Sequence, residues 1–254
     1  MKKYRLTDET MVNDKGVVLH RIDYFIDDKQ GTSKGGWIES EKNLSQQGNC
    51  YVLDEAQVFG NAVVSDNACV YDNAKVFGNA VIRDEAQVRD NAKICKNAHV
   101  FNKARVSGCA FIYDNAEIFD NVWVYGDAKI FENAIVYGDA KILDCAKVYG
   151  NALVYDDAFV YGNAVVCGNA VVRGFAAICG NAIIGSGRDY IVFKNNWSSG
   201  RYFTWTKSND MWRVGCFYGT GQELIEKAYN DSKMSGDCYK LYVEFVEKLK
   251  QAQQ

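Results

Sequence analysis

The sequence predicts an all-β solenoid: a parallel β-helix of tandem six-residue repeats, with 18 residues per coil. Three observations predict it. Val or Ile recurs at every sixth position from Val52 to Ile184, with nothing inserted. A small residue stands two positions before each, Cys50 and then Ala from Ala56 to Ala182, with Val122 the one bulky exception. In most repeats Gly or Asp followed by Asn precedes the small residue, as in Gly60-Asn61 and Asp66-Asn67.

Each position has a physical reason. Residues two apart in a strand share a face, so Ala and Val/Ile point inward together. The residue between them, and the frequently aromatic one after, point outward. Gly, Asp and Asn tolerate left-handed backbone and turn the chain. A short strand and a two-residue corner make one side of a triangle, and three sides make a coil. Coils stack at about 4.8 Å, with the Val/Ile columns filling the interior. Proline is absent from the 254 residues, as a chain that is mostly ladder requires, because proline cannot donate a backbone hydrogen bond.

An open solenoid exposes its cross-section at both ends and needs caps. Residues 1–35 read as an N-terminal β-hairpin cap, with strands at Tyr4-Arg5-Leu6 and Val17 to Ile22 around Asp14-Lys15-Gly16. Residues 36–187 form the β-helix, with two residues inserted around Gln46-Gln47-Gly48. Residues 188–254 read as a small ββαα cap. Its hairpin joins Tyr202–Thr206 to Met211–Cys216. A capping box of Thr220 and Glu223 opens one helix, and a second runs from about Ser235 to Lys250.

Hydrophobic residues make up 48% and charged residues 24%, which excludes a disordered chain. A net charge of −3 argues against a general nucleic-acid binder. The nine cysteines include no CxxC pair, so a zinc knuckle or dithiol redox site has no support. Cys50, Cys69, Cys95, Cys109, Cys167 and Cys179 fall at varied repeat positions, as reduced structural thiols would. No signal peptide or apolar span is read, and a soluble, cytoplasmic protein is expected.

The unit exemplified by Val148-Tyr149-Gly150-Asn151-Ala152-Leu153 resembles the hexapeptide repeat of left-handed β-helix proteins, over about 60% of the chain. Left-handedness is implied by that resemblance, not by the period. Known members often carry Gly after the aliphatic residue; here aromatics such as Phe59, Tyr113 and Tyr149 stand there. The segments Gly35–Glu41 and Val214–Thr220 are similar to those of uncharacterised hexapeptide-repeat proteins of bacteria and their phages. That similarity implies a bacterial or prophage setting and supplies no activity.

Many such β-helix proteins are acyltransferases that take an acyl-CoA donor and use His as general base. This chain has two histidines, His20 in the N-terminal cap and His99 in the helix. The sugar-nucleotide acyltransferase motif Ala-His-Ile-Ala-His-Asp carries its base at the second His. Here His99 matches the first and Asn102 occupies the second. No loop interrupts the repeats to shape a donor pocket. A three-His metal site is excluded by count, so no metal is expected. If the protein is an acyltransferase, His99 is the base.

A period of 18 sorts the outward residues into three walls. One carries Val81, His99, Glu117, Ile135, Leu153 and Val171, flanked by Phe101, Phe119, Tyr137 and Tyr155. Its apolar stretch is the expected interface for self-association or a protein partner. A second wall interleaves Lys75, Lys93, Lys129 and Lys147 with aromatics. Such a strip can track single-stranded nucleic acid, but the corner Asp residues and net charge weigh against it, and no membrane contact is expected. The third is mixed and carries Trp123, which with Arg201, Trp205 and Trp212 of the C-terminal unit is a partner-binding candidate. These observations give a non-catalytic, homo-oligomeric module, a rigid β-helix for interaction or assembly that, if phage-encoded, binds a host protein. An acyl-CoA-dependent acyltransferase is the alternative.

Overall fold

The computed structural model describes residues 2–26 and 31–252. Three antiparallel strands open the chain: β1 (Tyr4–Val12), β2 (Val18–Ile26) and β3 (Gly31–Ile38). Twenty-three two-residue strands follow at six-residue intervals, from β4 (Tyr51–Val52) to β26 (Ile183–Ile184). They form a β-helix of about eight coils with three parallel walls. Wall A contains β5 (Gln57–Val58) and every third strand after it to β26. Wall B runs from β6 (Val63–Val64) to β24 (Val171–Val172). Wall C runs from β4 to β25 (Ala177–Ile178).

The pairing register is 18 residues throughout the repeats, for example Gln57 with Lys75 and Val63 with Val81. The first coil is longer: Trp37 pairs with Gln57, a step of 20. This is the expected two-residue insertion, and Gly48 carries a φ of 70° within it. Inside, the Ala and Val/Ile columns are essentially inaccessible, Val122 included.

The corners divide their work between two residues. The first of each pair takes the positive φ, whether Gly60, Asp66, Lys96 or Glu132. The following Asn is not in that region; its amide instead bonds its counterpart one coil on. Asn61, Asn79, Asn97, Asn115, Asn133, Asn151 and Asn169 form one such ladder, at 2.9–3.2 Å between neighbours.

The N-terminal cap is a direct extension of wall A. β3 pairs antiparallel with β2 and then parallel with β5, so the hairpin and the wall are one sheet of 11 strands. A Cβ on Gly35 would lie 2.6 Å from Ile22 Cγ1, so the close approach needs glycine. Tyr4 and Tyr24 plug the open end. Tyr4 Oη donates to the Leu44 carbonyl at 2.6 Å, and Val52 N–H donates to Tyr24 Oη at 2.7 Å. Burial pushes both phenols well above the usual tyrosine range.

Arg21 locks this cap onto the first coil. The buried guanidinium donates to the carbonyls of Gly35 and Asp54 at 3.1 and 2.6 Å, and to Glu55 Oε1 at 2.8 Å. It lies 4.0 Å from the Trp37 ring centroid, and Trp37 Nε1 donates to the other Glu55 oxygen at 2.8 Å.

The C-terminal unit has four strands rather than two: β27 (Tyr190–Lys194), β28 (Tyr202–Thr206), β29 (Met211–Val214) and β30 (Phe217–Gly219). Two helices follow, α1 (Gly221–Asp231) and α2 (Lys233–Ala252). The Thr220–Glu223 capping box is present.

This unit supplies a side-chain partner for the last strand of every wall. Ala177 N–H on wall C donates to Thr204 Oγ1 at 2.9 Å, and Ile183 N–H on wall A donates to Ser208 Oγ at 2.7 Å. On wall B, Tyr190 Oη donates to the Val171 carbonyl at 3.1 Å. The Tyr218 hydroxyl sits over Gly180, where any Cβ would fall 1.8 Å from it. Among the described residues no helix is long and apolar enough to cross a membrane.

Candidate functional site

Wall B brings most of the sequence-selected residues onto one surface. Val81, His99, Glu117, Ile135, Leu153 and Val171 stand in register on consecutive coils, all half-buried. Beside them runs an aromatic ladder. Phe101 and Phe119 stack at 4.8 Å, Phe119 and Tyr137 at 5.1 Å, and Tyr137 and Tyr155 at 4.8 Å between centroids. Cations close both ends: the Arg83 guanidinium lies 4.3 Å from the Phe101 centroid, and Arg173 Nη1 lies 3.4 Å from Tyr155 Oη. Burial, and then the neighbouring Tyr155 and carboxylates, push the Tyr137 phenol up.

His99 is held by strand pairing between Val81 and Glu117. The period thus places a carboxylate one rung from the imidazole. His20 pairs with Thr10 and Ile38 in the N-terminal sheet that continues wall A, so the two histidines are not gathered into one site. Beyond the Asn102 corner lies an open polar hollow of about 580 Å³, lined by Asp84, Glu85, Asn102, Lys103, Asp120, Asn121, Gly138 and Asp139. His99 does not line it. Among the described residues no group of three or more His, Cys, Asp or Glu is placed to hold a metal ion.

The lysine strip of wall A is partly neutralised. Lys75 Nζ pairs with Asp14 at 3.0 Å, and Lys15 lies 3.5 Å from the Phe77 centroid. Phe59–Phe77 stack at 5.0 Å, and Tyr113, Phe131 and Tyr149 at 4.8 Å.

On wall C, Trp123 is 48% exposed, with the Arg105 guanidinium 5.4 Å and Lys141 Nζ 5.7 Å from its ring centroid. It forms part of a hollow of about 260 Å³ with Arg89, Arg105, Ser107, Val124, Tyr125 and Leu143. Sequence reading singled out Trp123 as a binding candidate and Tyr125 only as an outward aromatic, and it missed Arg89 and Ser107. The signal was present: at 18-residue spacing, Tyr71, Arg89, Ser107 and Tyr125 form an outward column in which a small residue breaks the sequence of large ones.

The C-terminal candidates separate. Trp205 and Trp212 are 4% and 1% exposed and build the core between the small sheet and the helices, so neither presents a surface to a partner. Trp205 Nε1 donates to Asp210 at 2.8 Å, which holds it there. Arg201 is exposed and lines a hollow with Gly215, Cys216, Phe217, Tyr218, Lys227 and Asp231. All nine cysteines are free thiols.

These features define a capped β-solenoid with an apolar and aromatic wall bearing one histidine. The family model described as YdcK beta solenoid repeat matches residues 158–174, within the last coils. The chain is also 41% identical over 78 residues to the protein named uncharacterized acetyltransferase YdcK of Escherichia coli (strain K12). That stretch is 26% of this chain and 24% of the relative, so the chain matches about a quarter of the relative's length.

Proposed function

We propose that this β-solenoid is an acyltransferase of the hexapeptide type, using an acyl-CoA donor, with His99 as general base. The similarity to a protein named acetyltransferase carries the proposal. The position of His99 in register with Glu117 is compatible with it. In the reaction His99 takes the proton of an acceptor hydroxyl or amine as that group attacks the thioester carbonyl. The carbon–sulfur bond breaks and the thiolate leaves, to be protonated. Glu117, one rung away in register, is the carboxylate available to orient the imidazole in this reading. His99 sits on a wall, not in an enclosed cleft, so a second copy must complete the site.

That copy docks on the apolar end of the same wall, at Ile135, Leu153 and Val171 beside Tyr137 and Tyr155. The same surface favours a second reading, a non-catalytic module that binds itself or another protein, such as a host protein if the gene is phage-borne. Titration calorimetry with acetyl-CoA, together with the mass in solution, separates the two. Saturable binding lost in His99→Ala, on an oligomer that persists in that variant, supports acyl transfer. An oligomer that binds no acetyl-CoA leaves the interaction module.

A further inference from the structure

We propose that wall C carries a binding site for a planar aromatic ring bearing an anionic group, formed where one rung is missing from an outward ladder. The site is separate from wall B and does not depend on the acyltransfer reading.

On the filled ladder of wall B, outward rings on consecutive coils stack at 4.8–5.1 Å. The corresponding column of wall C runs Arg89, Ser107, Tyr125. Ser107 is 6% exposed and too short to fill its rung, so it forms a floor. Arg89 and Tyr125 stand two strand spacings apart, roughly 9.6 Å. That separation admits a single ring, with about 4.8 Å to each neighbour. The hollow's volume of about 260 Å³ is of the right order, since an apolar cavity of about 150 Å³ accepts benzene.

The surroundings select the ring's charge. Arg89 and Arg105 both line the hollow, and among the described residues neither forms an ion pair. A guest ring would stack on the Arg89 guanidinium on one side and the Tyr125 ring on the other, with Trp123 beside it. Its anionic group would meet Arg105, whose planar fork suits carboxylate and phosphate alike. The Ser107 hydroxyl offers a further donor.

The test is titration calorimetry of the full chain with benzoate, phenyl phosphate and cyclohexanecarboxylate. Saturable binding of an aromatic anion is expected, at least about tenfold tighter than the aliphatic acid, a ratio worth about 1.4 kcal/mol. The tighter of benzoate and phenyl phosphate identifies the anionic group. Ser107→Phe places a protein ring in the missing rung and should abolish binding with the circular dichroism spectrum unchanged. Should that variant fail to fold, Arg105→Gln is expected to weaken binding about tenfold or more. No saturation by either aromatic anion at about 10 mM overturns the proposal. Equal binding of the aliphatic acid, or unchanged binding in a folded Ser107→Phe or Arg105→Gln variant, overturns it as well.

Discussion

Thr204 Oγ1 accepts a hydrogen bond from the Ala177 backbone N–H at 2.9 Å, taking the place that a further coil's carbonyl would have held. Within the helix the equivalent donor, Phe159 N–H, bonds the Ala176 carbonyl at 2.8 Å. A side chain of the C-terminal unit thus ends the ladder of wall C. Thr204→Val keeps the shape and removes the acceptor. Thermal unfolding should show a loss of about 1–2 kcal/mol, with faster hydrogen exchange at Ala177. Unchanged exchange at that amide would show that the contact does not protect the last rung.

Glu55 is the nearer of two acidic partners of Arg21 in the N-terminal lock, at 2.8 Å against 3.7 Å for Glu9. Its hydrogen bond from Arg21, and then that from Trp37, holds its carboxyl below the ordinary value of 4.5. A depressed folded pKa gives stability that is present above the unfolded pKa and is lost as pH falls through the folded one. Urea midpoints should therefore be insensitive to this group near neutrality and drop below about pH 4. Glu55→Gln should lower stability at pH 7 and flatten the acid-side decline. A parallel decline in both proteins would assign it to other carboxylates.

The aromatic ladder of wall B predicts a cost beyond lost apolar area. Phe119 stacks on Phe101 and on Tyr137. Phe119→Leu should destabilise by about 0.5–1.5 kcal/mol for each stacking contact removed. The double variant with Tyr137→Leu should cost less than the sum of the two single changes, because they share a contact. Simple additivity in denaturant titrations would show that the rings merely cover the wall.

Interior positions should be less forgiving. Ile112 is fully buried in mid-helix, between coils that cannot close up without breaking the 18-residue register. Ile112→Ala should cost about 2–5 kcal/mol in chemical denaturation. A loss below about 1 kcal/mol would mean that the coils relax around the vacancy.

The apolar end of wall B makes a prediction about assembly. If Ile135, Leu153 and Val171 form the subunit contact, Leu153→Glu places a charge there and should convert an oligomer to monomers by light scattering. A wild-type monomer would remove this wall as a self-association surface.

The solenoid itself was legible from residue order, because a strict six-residue period leaves little alternative. Even the first coil's extra two residues could be counted before the Trp37–Gln57 pairing was seen. The caps were read less completely. The Trp37-Ile38 end of β3 was read as the start of the first coil, but its earlier part was missed because Thr32-Ser33-Lys34-Gly35-Gly36 is polar and glycine-rich, and it becomes a strand by pairing with β2. β27 and β30 also depend on partners in the small sheet. Trp205 and Trp212 resemble surface anchors in sequence, and their burial depends on helices that follow them in the chain.

The local pattern by itself determined the coil, the inward columns, the corners and the sorting of outward residues into three walls, since each follows from a period set by neighbouring residues. Tertiary structure decided how the ends close, which aromatics face water, and that Arg89, Ser107 and Tyr125 surround a gap beside Trp123. Those outcomes depend on distances between residues far apart in the chain. A repeat fixes such distances along its own axis, and it leaves unspecified the packing of non-repeating segments and the space beside one small side chain.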